Sequence, residues 1–289
     1  MADAGTDRLT IDYVQPDPRL TPYVSGYHRY ALRLDPGERH GDVFFPGWIN
    51  LRFSLEAEPW QVRLGRRAFP VPEAALFGPS RHAGYVDAGR GTLLGAGLTP
   101  LGWARLFGGD VSLHADRIAP LDRLLGPDTE TLAARLGAGE PFADVLDSYF
   151  LARLAATPTE PPEVAALFSA LGGVAADSVI DLGRLIGTSP RTLNRVSRTA
   201  FGFTPKVLLR RARFMRALLA ALAVERGGWA EAIAAAGYYD HSHFLRDCRL
   251  FLDMPLGEFA ALPKPLAERS LRLRAAALGA PAQALHRDA

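Results

Sequence analysis

Cysteine is nearly missing from this chain: Cys248 stands alone in 289 residues. No intramolecular disulfide can form, and the chain suits a reducing compartment. Lysine is almost as scarce, with only Lys206 and Lys264, so any cationic surface must be built from arginine. No apolar run approaches the roughly 20 residues that a membrane-crossing helix needs. The first residues, Met1-Ala2-Asp3-Ala4-Gly5-Thr6-Asp7, lack the basic-then-apolar pattern of a secretory signal. A cytoplasmic protein without a membrane partner is expected. An excess of one charge is also lacking: 33 Lys and Arg face 31 Asp and Glu, for a net charge of +2.

What is present is unevenly placed. From Arg184 to Arg216 there are Arg191, Arg195, Arg198, Lys206, Arg210, Arg211 and Arg213 besides the two ends, and no Asp or Glu. Such a block attracts phosphate although the whole chain is balanced. An apolar fraction of 48 % supports ordinary globular cores, and the length fits two domains of roughly 100–200 residues each.

The first hundred residues read as strands. Ile49, Leu51, Phe53 and Leu55 alternate with Asn50, Arg52 and Ser54, and Trp60, Val62 and Leu64 alternate with Gln61 and Arg63. Turn signals at Asp35-Pro-Gly, Phe45-Pro-Gly, Gly78-Pro-Ser and Ala88-Gly-Arg-Gly break them into short pieces, as in a β-barrel or sandwich. Helical spacing takes over near Thr99, with Leu132, Leu136, Val145, Leu146, Tyr149, Phe150 and Leu154 marking a helical pair. The expected fold class is α+β: a strand-rich N-terminal domain with a helical extension over 1–156, then an all-α domain over 163–262. Thr157-Pro-Thr-Glu-Pro-Pro162, with its three prolines, is the expected linker. Residues 263–289, rich in Ala, Arg and Pro, are expected to form a flexible tail.

Two helix-turn-helix patterns lie in the C-terminal part. In the first, Ser189 and Pro190 read as an N-cap and an N1 proline. The helix that follows places Leu193, Val196, Ser197 and Ala200 on one face and Arg191, Asn194, Arg195 and Arg198 on the other. Arginine can bind guanine bidentately and asparagine can do the same with adenine, so the outer stripe has major-groove chemistry. In the second, a helix starting near Asp240 buries Phe244, Cys248, Phe251 and Leu252. Ser242, His243, Arg246 and Arg249 face outward, with His241 in the first turn, where base edges are usually met. Between the two, Thr204 to Leu222 reads as a linker helix of roughly 30 Å at 1.5 Å per residue. That is close to the spacing of successive major-groove faces, about 34 Å.

With these segments in view, residues from about Val174 to Phe259 resemble the DNA-binding domain of AraC-type transcription regulators. The resemblance is carried by Leu182-Gly-Arg-Leu-Ile-Gly-Thr-Ser with Leu193-Asn-Arg, by Phe201-Gly-Phe-Thr-Pro-Lys, and by Gly237-Tyr-Tyr-Asp-His-Ser-His-Phe-Leu-Arg. It implies two helix-turn-helix subdomains, a regulatory N-terminal domain, and base contacts from Arg191, Asn194 and Arg195 and from His241, Ser242, His243 and Arg246. The chain departs from the pattern at Ser197 and Cys248, where the family has aromatics, and at Leu256, where it has proline. The N-terminal half is similar to the sensor domain of a subgroup of these regulators in Phe45–Leu55, Leu76–Ser80 and Asp116–Gly126, which implies fold but no ligand.

No Ser-His-Asp spacing, phosphate-binding glycine loop or metal signature stands out, so no enzyme activity, cofactor or metal is expected. An alternative is a metal-dependent, cupin-like small-molecule enzyme on the N-terminal barrel, gathering three of His28, His40, His82 and His114. Asp240-His-Ser-His243 is a poor metal site, because His241 and His243 diverge by roughly 160° on a helix. Trp48, Arg52 and Trp60 are candidates to line an effector pocket. The expected partners are double-stranded DNA, a small-molecule effector, a second copy of the chain, and RNA polymerase if the protein activates transcription.

Overall fold

The computed structural model describes residues 8–157, 159, 162–172, 178–238 and 240–283. The fold is α+β. Among the described residues ten strands form two antiparallel sheets: β1 (Leu9–Val14), β2 (Val24–Leu32), β3 (His40–Phe44), β4 (Ile49–Leu55), β5 (Gln61–Leu64), β6 (Arg67–Pro70), β7 (Ala74–Phe77), β8 (Gly84–Ala88), β9 (Gly91–Leu98) and β10 (Ile118–Pro120). The six-stranded sheet runs β1-β2-β9-β4-β7-β10 and the four-stranded sheet runs β3-β8-β5-β6. Tyr30, Leu32, Phe77 and Leu93 of the first sheet pack with Val62, Leu64 and Val86 of the second, so the sheets face each other.

The other face of the six-stranded sheet is covered by helices. Tyr27, Leu51, Phe53, Leu94 and Ala96 pack against α1 (Pro100–Leu106), α3 (Asp128–Gly137) and α4 (Phe142–Ala156), with α2 (Asp122–Leu125) between them. The alternation in β4 placed Asn50, Arg52 and Ser54 on a polar face. Arg52 is instead buried, because the second sheet closes over that side of the strand.

The remaining helices are α5 (Pro162–Gly172), α6 (Val179–Leu185), α7 (Pro190–Phe201), α8 (Pro205–Leu222), α9 (Trp229–Ala235), α10 (His241–Phe251), α11 (Leu256–Ala261) and α12 (Pro265–Leu278). Of the expected linker, Pro158, Glu160 and Pro161 lie outside the described residues, and Pro162 already opens α5. The first seven residues and 284–289 also lie outside them.

The expected flexible tail is corrected by α12, which docks on the strand domain. Its local N-cap position is Lys264, which offers no oxygen acceptor, so Pro265 at the first helical position marks the start but no nearby side chain caps it. The cap comes from Asp42 on β3, whose Oδ2 accepts from Leu266 N at 2.7 Å and Oδ1 from Ala267 N at 3.0 Å. Farther along, the buried Arg274 donates to the carbonyls of Ser25 and Ala280. Gln283 then bonds Ser25, Asn50 and the carbonyl of Ile49. Among the described residues no helix is long and apolar enough to cross a membrane.

Candidate nucleic-acid interface and the cavity behind it

Helices α6 and α7 form the first helix-turn-helix pair, and α9 and α10 the second. Each turn contains a glycine in the left-handed region, Gly187 at φ 64° and Gly237 at φ 89°, where a side chain would be strained. Each second helix is capped by its own side chain. Ser189 accepts from Thr192 N at 3.2 Å, and Asp240 accepts from Ser242 N at 2.8 Å. That bond leads the interactions that hold the Asp240 carboxyl below its usual range.

The first pair follows the periodicity closely. Leu193, Val196, Ser197 and Ala200 are buried, whereas Arg191, Asn194, Arg195 and Arg198 are all exposed. Arg198 Nε donates to Asn194 Oδ1 at 3.0 Å, which ties two members of the stripe together. Ser197, at the position of an expected aromatic, is wholly buried and its hydroxyl has no partner among the described residues.

The second pair departs from expectation at one residue. Ser242 and Arg246 are exposed, and Arg246 Nη2 lies 3.8 Å from Asp240 Oδ2. His243 is only part-exposed: its ring lies 5.5 Å from that of Tyr238, and its Nε2 is 4.0 Å from Asp247 Oδ1. The His241 backbone opens α10, but its side chain lies outside the described residues. Cys248 is fully buried and burial pushes its thiol up to about 12, as suits a packing residue rather than a nucleophile.

Two charged residues that the periodicity did not single out organise the linker helix α8. Asp247, wholly buried on α10, accepts from Arg210 Nε at 2.6 Å and from the Tyr238 hydroxyl at 2.5 Å. Arg211 is 1 % exposed and points the other way, into the strand domain. It donates through Nη1 to Gly47 O at 3.1 Å and Ser80 O at 2.8 Å, and its Cζ lies 3.9 Å from the Trp48 ring. Burial pulls its guanidinium down to about 9, which still leaves it charged at neutral pH. The basic block is therefore divided: Arg211 is withdrawn from any phosphate, and Arg210 is engaged with Asp247.

Trp48, Arg52 and Trp60 have separate fates. Trp48 and Arg52 both line a cavity of about 110 Å³ between the sheets and α12, and Trp48 also packs edge-on against Phe201. Trp60 does not line it and belongs to the packed core with Val62 and Leu64. The histidines are dispersed: His40 is 3.0 Å from Asp42, His82 is 3.7 Å from Asp253, and His114 packs on Trp103. Among the described residues no three His, Cys, Asp or Glu side chains are placed to hold a metal ion.

His28 lines the cavity, buried. Desolvation, reinforced by the charges of Arg52 and Arg274, holds it well below the usual imidazole value of 6.5. Below that pH the unfolded chain binds a proton that folded His28 refuses. Stability is therefore expected to fall on acidification, by up to about 1.4 kcal/mol per pH unit. Thermal melts at successively lower pH should show this fall, and His28→Gln should flatten it. An unchanged slope in the variant would move the effect elsewhere, for instance to His114, which burial also lowers.

Residues 182–261 match the helix-turn-helix domain family, a span that takes in both helix pairs and α8. This segment is an AraC-type helix-turn-helix domain. No curated protein matches the chain in sequence. Among solved structures, the chain is similar to ToxT from Vibrio cholerae O395, with 8 % identity, a TM-score of 0.43, and coverage of 88 % of this chain and 98 % of that one. ToxT of the same strain bound to (E)-4-(8-methylnaphthalen-1-yl)but-3-enoic acid gives 8 % identity and a TM-score of 0.44 over the same shares. Unsaturated fatty acid bound wild-type ToxT from Vibrio cholerae strain SCE256 gives 9 % identity and a TM-score of 0.43, covering 79 % of this chain and 97 % of that one.

Proposed function

We propose that this protein is a transcription regulator that reads two adjacent major-groove segments of duplex DNA, controlled by its strand-rich domain. The observation that carries the reading is the stripe of Arg191, Asn194, Arg195 and Arg198 on α7, exposed, capped at its start and free of acidic side chains along the helix. His241, Ser242, His243 and Arg246 form the second reading surface, at the start of α10. Arg198 must release Asn194 Oδ1 before the amide can take adenine bidentately, so Arg198 is assigned to phosphate. The boundaries proposed are a sensor part through 156, which takes a small molecule or holds a dimer, and a DNA-reading part from 163 to 262. On this division α12 returns to the sensor part.

In-vitro selection from random duplex DNA with the full chain is the test. Two short enriched blocks about one helical turn apart are expected. Binding without enrichment at any salt would sink the base-reading proposal. On the selected site, Arg191→Ala or Arg195→Ala is expected to cost about 1–3 kcal/mol and relax preference at one base pair. Equal weakening on every sequence would make these residues phosphate contacts instead.

A further inference from the structure

The cavity between the two sheets holds a cation, Arg52, with two buried nitrogens that have no acceptor among the described residues. Arg52, in the middle of β4, is 6 % exposed. Its Cζ lies 4.0 Å from the centroid of Phe44 and 4.1 Å from that of Phe77. The rings attract the charge but supply no oxygen to its N–H groups. Its buried Nε and Nη1 have no hydrogen-bond partner among the described residues. A buried charge is ordinarily paired, so an unpaired one inside a cavity points to something that comes from outside.

The sheet register adds a second polar atom. Arg52 pairs with Gly95, and Gly95 pairs with His28, so the three form one row across β4, β9 and β2. A Cβ at position 95 would come within 2.6 Å of His28 Nε2, and glycine keeps that space open. His28 Nε2 is itself buried without a hydrogen-bond partner among the described residues. Arg274, a second buried guanidinium lining the cavity, is already used by the carbonyls of Ser25 and Ala280. No Asp or Glu is among the residues that line the cavity.

We propose that this cavity binds a small organic carboxylate, its oxygens accepting from the unpaired N–H groups of Arg52 and its body lying against Tyr30, Phe44 and Phe77. His28 Nε2 gives the second polar contact. The volume of about 110 Å³ is of the order of the ~150 Å³ apolar cavity that admits benzene, which limits the ligand to about one ring or a short chain. Arg117 also lines the cavity but is exposed, so Arg52 is the cavity's guanidinium with buried N–H groups left unpaired among the described residues. A single buried guanidinium among aromatic walls suits one negative charge better than the two of a phosphate dianion.

Ser270 and Arg274 of α12 line the same cavity, and Ala267 of that helix lies in the core of the second helix-turn-helix pair. An occupant therefore touches the element that joins sensor to reader. Only this consequence for DNA rests on the regulator reading above; the site itself does not.

Calorimetry on the full chain without DNA tests the site, with benzoate as the probe, benzamide as its neutral isostere, and inorganic phosphate as a bare anion. We expect saturable binding of one benzoate per chain, with benzamide and phosphate weaker by at least about tenfold. Arg52→Met, folded as judged by its melt, should lose benzoate by a similar factor. If that variant fails to fold, the contrast between benzoate and benzamide on the wild-type chain decides. Equal affinity for the two, benzoate binding undiminished in folded Arg52→Met, or no binding of benzoate or of any straight-chain acid from acetate to hexanoate would overturn the proposal. A failed DNA selection would leave this site standing, and a failed titration would leave DNA reading standing.

Discussion

Replacing Arg211 with Ala is expected to destabilise the protein by about 3–5 kcal/mol, the range for truncating a large buried side chain. It should also split a joint melt of strand domain and helical domain into two. The guanidinium is the hinge pin of the contact: it leaves α8, crosses to the loops around Gly47 and Ser80, and lies over Trp48. Truncation takes from the Ser80 carbonyl its Arg211 donor at a buried site, while Gly47 O keeps Ser80 N at 3.0 Å, and the lost hydrogen bonds add to the lost packing. Arg211→Lys keeps the charge but not the planar fork, so it should recover only part of the loss. Calorimetric scans of the three proteins check this. An Arg211→Ala variant that melts as one unit at the wild-type temperature would show that the domains are held by other contacts.

The same contact has a bearing on regulation. Gly47, Trp48 and Ser80 also line the cavity that contains Arg52. A group that shifts those loops therefore acts on the residues that hold α8. Gly202, which ends α7 in the left-handed region at φ 85°, sits against Pro79 in the same loop, where a Cβ would approach its Cγ to 2.6 Å. The second pair is tied as well: Ala83 N donates to Phe251 O at 2.7 Å, and the Tyr85 hydroxyl donates to Leu252 O. Both second helices thus end against the strand domain.

How much of this was legible in sequence depends on the range of the interaction. The caps at Ser189 and Asp240, the proline start of α7 and its exposed stripe are local, and the structure shows each where the spacing placed it. The linker helix, expected at roughly 30 Å, has 18 residues, or about 27 Å. The burial of Arg52 was hidden because alternation reports only that one face differs from the other, not whether a second sheet covers the polar one. Arg211 was hidden for the opposite reason: within a basic block it reads as one more phosphate contact, and its acceptors lie 164 and 131 residues away. The docking of α12 left no signature because its cap, Asp42, is 224 residues from Leu266. The shortage of lysine was informative in a way that composition alone did not reveal. The buried cations that shape the cavity and the α8 contact, Arg52, Arg211 and Arg274, are all arginines, whose planar fork can be satisfied by carbonyls or a ligand.

The second large effect is expected at Asp247. Its carboxylate is fully buried on α10 and binds Arg210 of α8 and the hydroxyl of Tyr238. It therefore sets the angle between α8 and α10, and sits behind α10 rather than on its outer stripe. Asp247→Ala should cost about 3 kcal/mol, the low end for breaking a buried pair, because Arg210 is 34 % exposed and can turn toward water. Burial and the bond to Asp247 hold the Tyr238 hydroxyl well above the usual phenol value, so it stays a neutral donor and loses its acceptor in the variant. Asp247→Asn keeps an oxygen for Tyr238 but no charge for Arg210, and should fall between the two. DNA binding is expected to weaken with loss of preference across the whole second block of the site, since the whole second pair is misplaced and no single base contact is removed. Hydrogen exchange distinguishes the cause: protection should drop in α9 and α10 and persist in β4 and β9. If those amides stay protected while DNA binding falls at one base pair only, Asp247 acts at the DNA surface and not behind it.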